Sequence, residues 1–484
     1  MQISRRRVLI IVLCSALVGA AGFFLYAKKA ENWSDKIVSE AIEKVLPKET
    51  SSAAPKTIGL LMFRGNMTRT FYGTGPIPTE PRVLWRYPDH PMCSPSIVFG
   101  VTKTWCGSGW TGQPVVWERP DNITEIIFGA YDKNVHFVDA ATGKDTRPSF
   151  KTGDIIKGSV SMDPDGFPLI YFGSRDNFLR IVALDRDIPT ELWHMEARVS
   201  DGVWNNDWDG NPLIRNGILY EGSENGIFHI IKLNRSHDAD GKVQLSPVEI
   251  FSFPTFSKEL EQNIGDKNQS IESSPVVYKD RVYTTNSGGR VLGFDISRVD
   301  EGIVTPVFDF WAGDDVDATP IVDEEGMLYI VSEKERFTPR SLELGQLMKL
   351  DPYTAENPII WSKQIPETSS LLGGAWATPA LRENKLYVIT NPGKLLVLDK
   401  DTGAVLDSQD VGPHAWSSPN IVDNTVIIGS CSGYLKAFTL GEKLTPLWTL
   451  PVGNGGCIES SPAIWKGHMY FGTRDGYFYA VGQK

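Results

Sequence analysis

No two cysteines are adjacent in this sequence, no pair is spaced as CxxC, and no histidines are spaced as HxxxH. Those gaps remove the ligand spacings of a structural zinc site. Histidine is scarce, with seven residues scattered along 484, and no Ser-His-Asp set can be assembled from their spacing. Basic charge is also short. Lys and Arg number 48 against 59 Asp and Glu, a net charge of −11. That balance argues against nucleic acid as a partner, since its phosphates call for a basic surface. It permits cationic partners or metal ions.

What the chain does have is glycine, proline and aromatic rings: 45 Gly, 31 Pro, 14 Trp and 15 Tyr. Such residues punctuate and pack β-strands. Its N-terminus is a different matter. Arg5, Arg6 and Arg7 precede residues 8–27, a run of twenty without charge. As a helix that run spans about 30 Å, the thickness of a bilayer core. The arginines hold the N-terminus in the cytoplasm and send the rest outward. A cleaved signal peptide is the rival reading, with Val18-Gly19-Ala20 as its small-residue site, and SRRRVL resembles a twin-arginine export signal. The apolar run continues past that site through Phe23, Phe24 and Leu25, which favours an anchor over residues 1–29. The expected location is a bacterial inner membrane, with the bulk of the chain in the periplasm or outside the cell. Residues 30–58 read as a stalk, and residues 59–484 remain for the main domain.

Four cysteines lie beyond the anchor: Cys93, Cys106, Cys431 and Cys457. An even count in an exported chain suggests disulfides. Pairing neighbours gives Cys93–Cys106 and Cys431–Cys457; two other connectivities, and four free thiols, remain open.

Residues 59–484 repeat. SSPAIWKGHMYFGTRDGYFYAV (460–481), SSPNIVDNTVIIGSCSGYLKAF (417–438) and ATPALRENKLYVITNPGKLLVL (377–398) share one plan. A small polar residue and Pro open a short strand, a turn leads to a second, and a tight polar pair such as Asp-Gly or Ser-Gly leads to a third. The opening recurs at Ser94-Pro95, Gly158-Ser159, Asn211-Pro212, Ser274-Pro275, Thr319-Pro320, Thr378-Pro379, Ser418-Pro419 and Ser461-Pro462, eight times at spacings of 40 to 64. A fourth strand follows most units, as in ELWHME (191–196) and PLWTLP (446–451). The eighth unit runs out of chain, while RVLWRYP (82–88) stands ahead of the array as a fourth strand without an owner. Joining the two closes a ring and leaves no edge at the seam. The expected fold is therefore all-β: an eight-bladed β-propeller with an N-terminal strand closing the last blade, preceded by a transmembrane helix.

The repeats resemble the quinoprotein-like (PQQ-like, BamB-like) propeller family. Its hydrophobic–Asp–x–x–Thr–Gly turn is matched by VDAATG (138–143) and LDKDTG (398–403), and its Trp strand by Trp193, Trp361 and Trp448. The resemblance implies one of two functions. One is a BamB-like scaffold that binds envelope proteins. The other is a dehydrogenase of alcohols or sugars using pyrroloquinoline quinone (PQQ) and Ca²⁺. The family's dehydrogenases often carry adjacent cysteines beside the cofactor, and here there are none.

Two loops entering blades are rich in chemistry. VWNNDWDGNP (203–212) offers Asn205, Asp207 and Asp209 beside Trp204 and Trp208; WAGDDVDATP (311–320) offers Asp314, Asp315 and Asp317. Oxygen ligands suit Ca²⁺, and an indole face suits a flat quinone or sugar ring. Neither loop follows the D-x-[DN]-x-[DN]-G calcium pattern, and Asp and Asn also serve as turn caps. The expected roles are Asn205, Asp207, Asp209 and Asp314 as metal ligands, Trp204 and Trp208 as cofactor stackers, and Asp315 or Asp317 as a catalytic base. First choice is a membrane-tethered envelope propeller that binds a protein, an envelope polymer or a smaller ligand; the PQQ/Ca²⁺ dehydrogenase is the alternative. If the acids of 207–209 and 314–317 meet across the channel mouth, the metal reading gains.

Overall fold

The middle strands of the repeats are apolar at nearly every position. A strand buried on both faces needs a sheet packed on either side. Repeated around a ring, that requirement gives a propeller. The computed structural model describes residues 56–484 apart from 99, 110–111, 198–202, 355, 366–372 and 413. The expected anchor, residues 1–29, and the stalk up to residue 55 lie outside the described residues. Among the described residues no helix is long and apolar enough to cross a membrane.

Eight blade sheets are present, each with its strands paired in order from the hub outward. Strands Leu169–Gly173 of blade 2 and Thr425–Gly429 of blade 7 are buried along their whole length. The core lies between blades. One cluster joins Phe137 of blade 1 to Phe172 of blade 2, and another joins Phe228 of blade 3 to Phe294 of blade 4.

Ring closure is as expected. Pro81–Tyr87 pairs antiparallel with Phe478–Gln483, Trp85 opposite Ala480 and Arg86 opposite Tyr479. Trp85 also shows what the Thr-Gly turn is for. Its indole N–H donates to the Ala140 carbonyl at 2.9 Å, and its ring lies where a Cβ on Gly143 would fall. Trp361 meets Gly403 in the same way, donating to the Lys400 carbonyl. Both glycines have φ near +67°, 68° and 66°, a left-handed conformation glycine adopts without cost.

Blade 1 departs from expectation. Ser94-Pro95 does not open it: Cys93–Val98 pairs with Val101–Cys106 as a separate hairpin. The first blade strand is Val115–Glu118, introduced by Gln113-Pro114. The cause is a decoy. The chain carries two polar-Pro openings in succession, and the cross-strand Cys93–Cys106 disulfide claims the first for the hairpin. The second disulfide is Cys431–Cys457, so the neighbour pairing holds.

The hub holds something the repeats did not announce. Strand Ile58–Leu60 adds to the inner edge of blade 1, and the chain then touches every other blade in turn. Met162 N–H donates to the Leu61 carbonyl, Val277 N–H to Met67 and Val322 N–H to Thr68. Tyr72 meets the backbone of Leu381, and Gly73 bridges to Ile464. Arg64 and Arg69, both 0% exposed, spend their guanidinium groups on strand-opening carbonyls. Arg64 donates to Thr378 and Pro419, at 3.2 and 2.8 Å. Arg69 donates to Pro275 (2.9 Å), Phe63 (2.8 Å) and the Asn211 side chain (2.7 Å).

Candidate functional site at the channel mouth

The loops entering each blade and the tight turns between its second and third strands share one face. A repeated backbone bond ties them. Arg175 N–H donates to Ile155, Glu224 to Asp207, Ser287 to Ser270, Glu333 to Asp315 and Arg474 to Cys457. With loop and turn fixed in register, one sequence position recurs at the same place in seven of the units, and four of its residues, Asp209, Glu272, Asp317 and Trp376, line one cavity. That position lies three residues before the strand-opening Pro: Asp209, Glu272, Asp317, Trp376, Trp416 and Glu459, with Lys157 at the equivalent place in blade 2. Four of these seven residues are acidic, and two neighbours are tryptophan, stacked with centroids 4.7 Å apart and planes at 17°.

A cavity of about 150 Å³ opens there, lined by Asp209, Asn268, Glu272, Asp315, Asp317, Glu333, Glu335 and Trp376. Six carboxyl groups meet on its wall. Burial raises the Asp317 and Glu333 carboxyls well above their usual range, and neighbouring acids add to it. Glu272 is raised for the same two reasons. Asp315 is pushed up to about 7 by burial, partly offset by Arg336, whose Nη1 lies 3.2 Å from Asp315 Oδ2. Asp315 Oδ1 is buried without a hydrogen-bond partner among the described residues. Asp315, Asp317 and Glu333 place one oxygen each within 4.8 Å of one another.

A second triad, Asp207, Asp209 and Glu224, has the same construction, and the chain fills it. Lys157 Nζ sits among all three, 3.0 Å from Glu224 and in contact with Asp209. Burial alone would lower that ammonium, but Asp209, Glu224 and Asp207 hold it well above its usual range. Arg175 Nε adds a further contact to Asp207 at 2.9 Å.

Of the residues singled out in the sequence, Asp209, Asp315 and Asp317 converge on the cavity. The others do not. Trp208 is 1% exposed, packed between blades 2 and 3 with its N–H on the Asn177 carbonyl, so it offers no face to a cofactor. Trp204 is 43% exposed and does not line the cavity. Asp207 is engaged by Lys157 and Arg175, and Asn205 donates to Asp207 at 3.5 Å. Asp314 accepts from the backbone amides of Glu335, Arg336 and Phe337. These bonds tie down residues 332–346, a long insertion in place of the tight turn of blade 5, and Asp314 does not line the cavity. That insertion supplies Glu333, Glu335 and Arg336; the sequence shows it as a long loop in place of a tight turn, with no chemistry assigned to it. Glu272 and Trp376 were missed too, although the position before each Pro would have found them.

The buried acids set a pH dependence. In an unfolded chain carboxyls titrate near about 4, while Asp315 and Glu459 titrate near about 7 when folded. The folded form therefore holds extra protons between those values, and stability falls as pH rises through 7. Thermal melts should give a lower Tm at pH 8 than at pH 5, and Asp315→Asn with Glu459→Gln should reduce the difference, the remainder coming from Asp317, Glu333 and Glu272, whose carboxyls are also raised well above their usual range. A Tm that rises over that interval would refute the assignment.

No family model matches this chain, and no curated protein matches it. Solved structures do. BamB from Moraxella catarrhalis aligns with a TM-score of 0.53 at 14% identity, covering 83% of this chain and 97% of that one. Quinohemoprotein alcohol dehydrogenase from Comamonas testosteroni aligns at 0.57 and 14%, covering 89% and 81%. A europium-containing methanol dehydrogenase aligns at 0.58 and 12%, covering 89% and 99%. The class is thus the eight-bladed propeller. Within it, the chain has the PQQ-like, BamB-like arrangement; at these identities the likeness is one of fold.

Proposed function

We propose that this protein is a membrane-tethered envelope propeller, and that it is a binding module whose channel mouth takes up a cationic ligand. The observation that carries the reading is the open acidic triad, Asp315, Asp317 and Glu333, on the wall of one cavity with an unpartnered buried oxygen. Six carboxyls face it, against the flanking charges of Lys157 and Arg336. Such a site favours any cation that replaces the protons those acids hold. The fold alone suits a scaffold for envelope proteins or an envelope polymer, as the resemblance of the repeats to BamB-like propellers implies.

Calcium fits the triad by chemistry, since it takes carboxylate oxygens in flexible number. The test is calorimetric titration of the full-length protein in detergent with Ca²⁺ and Tb³⁺, at pH 6 and pH 8. Binding should tighten at the higher pH and release protons. Asp317→Asn should weaken it by about tenfold or more, as expected for losing a charged contact. A cation-independent heat trace at both pH values would sink the reading.

The second reading, a quinone-dependent dehydrogenase, is favoured by the names of two solved neighbours and by Trp376 on the cavity wall. The quinone fits less well. The indole expected to stack on it, Trp208, is in the blade core, and a cofactor that carries carboxylates would meet a wall of them. Turnover of alcohols or aldoses with added quinone, Ca²⁺ and an artificial electron acceptor would establish it; no quinone binding would discard it.

A further inference from the structure

The two acidic triads are built alike, and the protein itself shows what one of them holds. Asp207, Asp209 and Glu224 enclose the primary ammonium of Lys157. Asp315, Asp317 and Glu333 are the corresponding groups two blades on, with oxygens equally close. The correspondence follows the repeat. Asp207 and Asp315 both lie five residues before the strand-opening Pro, and Asp209 and Asp317 three before it. Glu224 is the second residue of the tight turn of blade 3, and Glu333 the second residue of the longer segment that stands in its place in blade 5; each donates its backbone N–H to the carbonyl of the first Asp of its own triad. Only the cation differs. In the first triad it comes from the preceding blade, at the ring position occupied by Lys157; the ring position that precedes the second triad is Glu272, an acid.

We propose that the second triad binds a primary alkylammonium group supplied by a ligand from outside the chain. This rests on the reading of the mouth as a cation site and names the class of cation. Three acceptors around one nitrogen match the three donors of an –NH₃⁺ group. Asp315 Oδ1, buried and unpartnered, is an acceptor left for it. Trp376 lines the same cavity, an aromatic wall of the kind that draws ammonium groups and their alkyl stems. Arg336 touches Asp315 from the side at Oδ2, leaving Oδ1 clear. The amine could be free or be the side chain of a lysine in a polypeptide. The chemistry at the nitrogen is the same, and the probes below separate the two sources.

The experiment titrates the full-length protein in detergent with cadaverine, with Nα-acetyl-lysine methylamide, with tetramethylammonium and with Ca²⁺, reading heat and tryptophan fluorescence. Cadaverine or the lysine amide should bind with proton release, while tetramethylammonium, which has the charge and no N–H, should bind about tenfold more weakly or worse, the loss expected for missing charged hydrogen bonds. Tighter binding of cadaverine points to a free amine, tighter binding of the amide to a lysine side chain. Glu333→Gln should remove the amine response. Lys157→Met vacates the first triad and should raise the stoichiometry from one bound amine to two. Binding of Ca²⁺ without binding of either amine overturns this inference and leaves the cation reading standing; failure of every cation brings down both. An unchanged stoichiometry in a folded Lys157→Met protein also counts against the likeness of the triads.

Discussion

Replacing Arg69 with alanine is expected to lower the unfolding free energy by about 3–5 kcal/mol, the range for stripping a buried charge from its partners. Its guanidinium is 0% exposed and donates to the carbonyls of Pro275, Asn211 and Phe63 and to the Asn211 side chain. Burial lowers it to about 9, with Glu221 pulling the other way. Truncation leaves those acceptors facing a void that water reaches poorly, and each unmet buried group carries its own desolvation cost. Arg69→Lys should recover little, because one ammonium cannot serve acceptors spread over a planar fork. Urea denaturation of the variants measures it. A change below about 1 kcal/mol, the size of an ordinary surface substitution or little more, would show that the guanidinium does not hold the hub.

The second large effect concerns the seam. A chain beginning at Asp89 lacks both the hub segment and strand Pro81–Tyr87. Blade 8 then exposes the edge of Phe478–Gln483, and an open edge invites pairing with other chains. The cluster that Trp85 and Tyr87 share with Phe128, Tyr470 and Phe478 also loses two rings. Large-to-small losses of that kind cost about 3–5 kcal/mol each, against a typical total of about 5–15 kcal/mol. The truncated chain should lack a single cooperative melt and should associate on gel filtration. A separate peptide of residues 57–88 should restore both properties. A truncated chain that melts sharply at the full-length Tm would refute the closure argument.

The fold was legible because a propeller writes one pattern many times, and because Arg82–Pro88 had no partner of its own in sequence. The false opening at Ser94-Pro95 shows the limit: a short motif says that a strand starts, not which sheet receives it. The site was half legible. Asp209, Asp315 and Asp317 stood out as acids in polar loops. Their fellows Glu272 and Trp376 did not, since nothing near them is unusual; only their register against the next Pro gives them away. Trp208 and Asp314 misled for a related reason. A tryptophan or an aspartate in a loop looks available, and whether it turns into the core or onto backbone amides depends on neighbours distant in sequence. Arg64 and Arg69 were silent altogether, because their partners are carbonyls on blades 3, 4, 6 and 7.

The hub segment also constrains how the molecule can come together. It is among the earliest parts of the domain to be synthesised, yet Arg64 needs Pro419, Gly73 needs Ile464, and Pro81–Tyr87 needs Phe478–Gln483. Its seat does not exist until the final blade has been made. Blades in the middle of the array can pair their own strands as they emerge, but the hub residues that need Pro419, Ile464 and Phe478–Gln483 must wait until the last blades are made. Contacts so distant along the chain form slowly. The nascent protein therefore spends its longest vulnerable interval with the centre of the wheel missing.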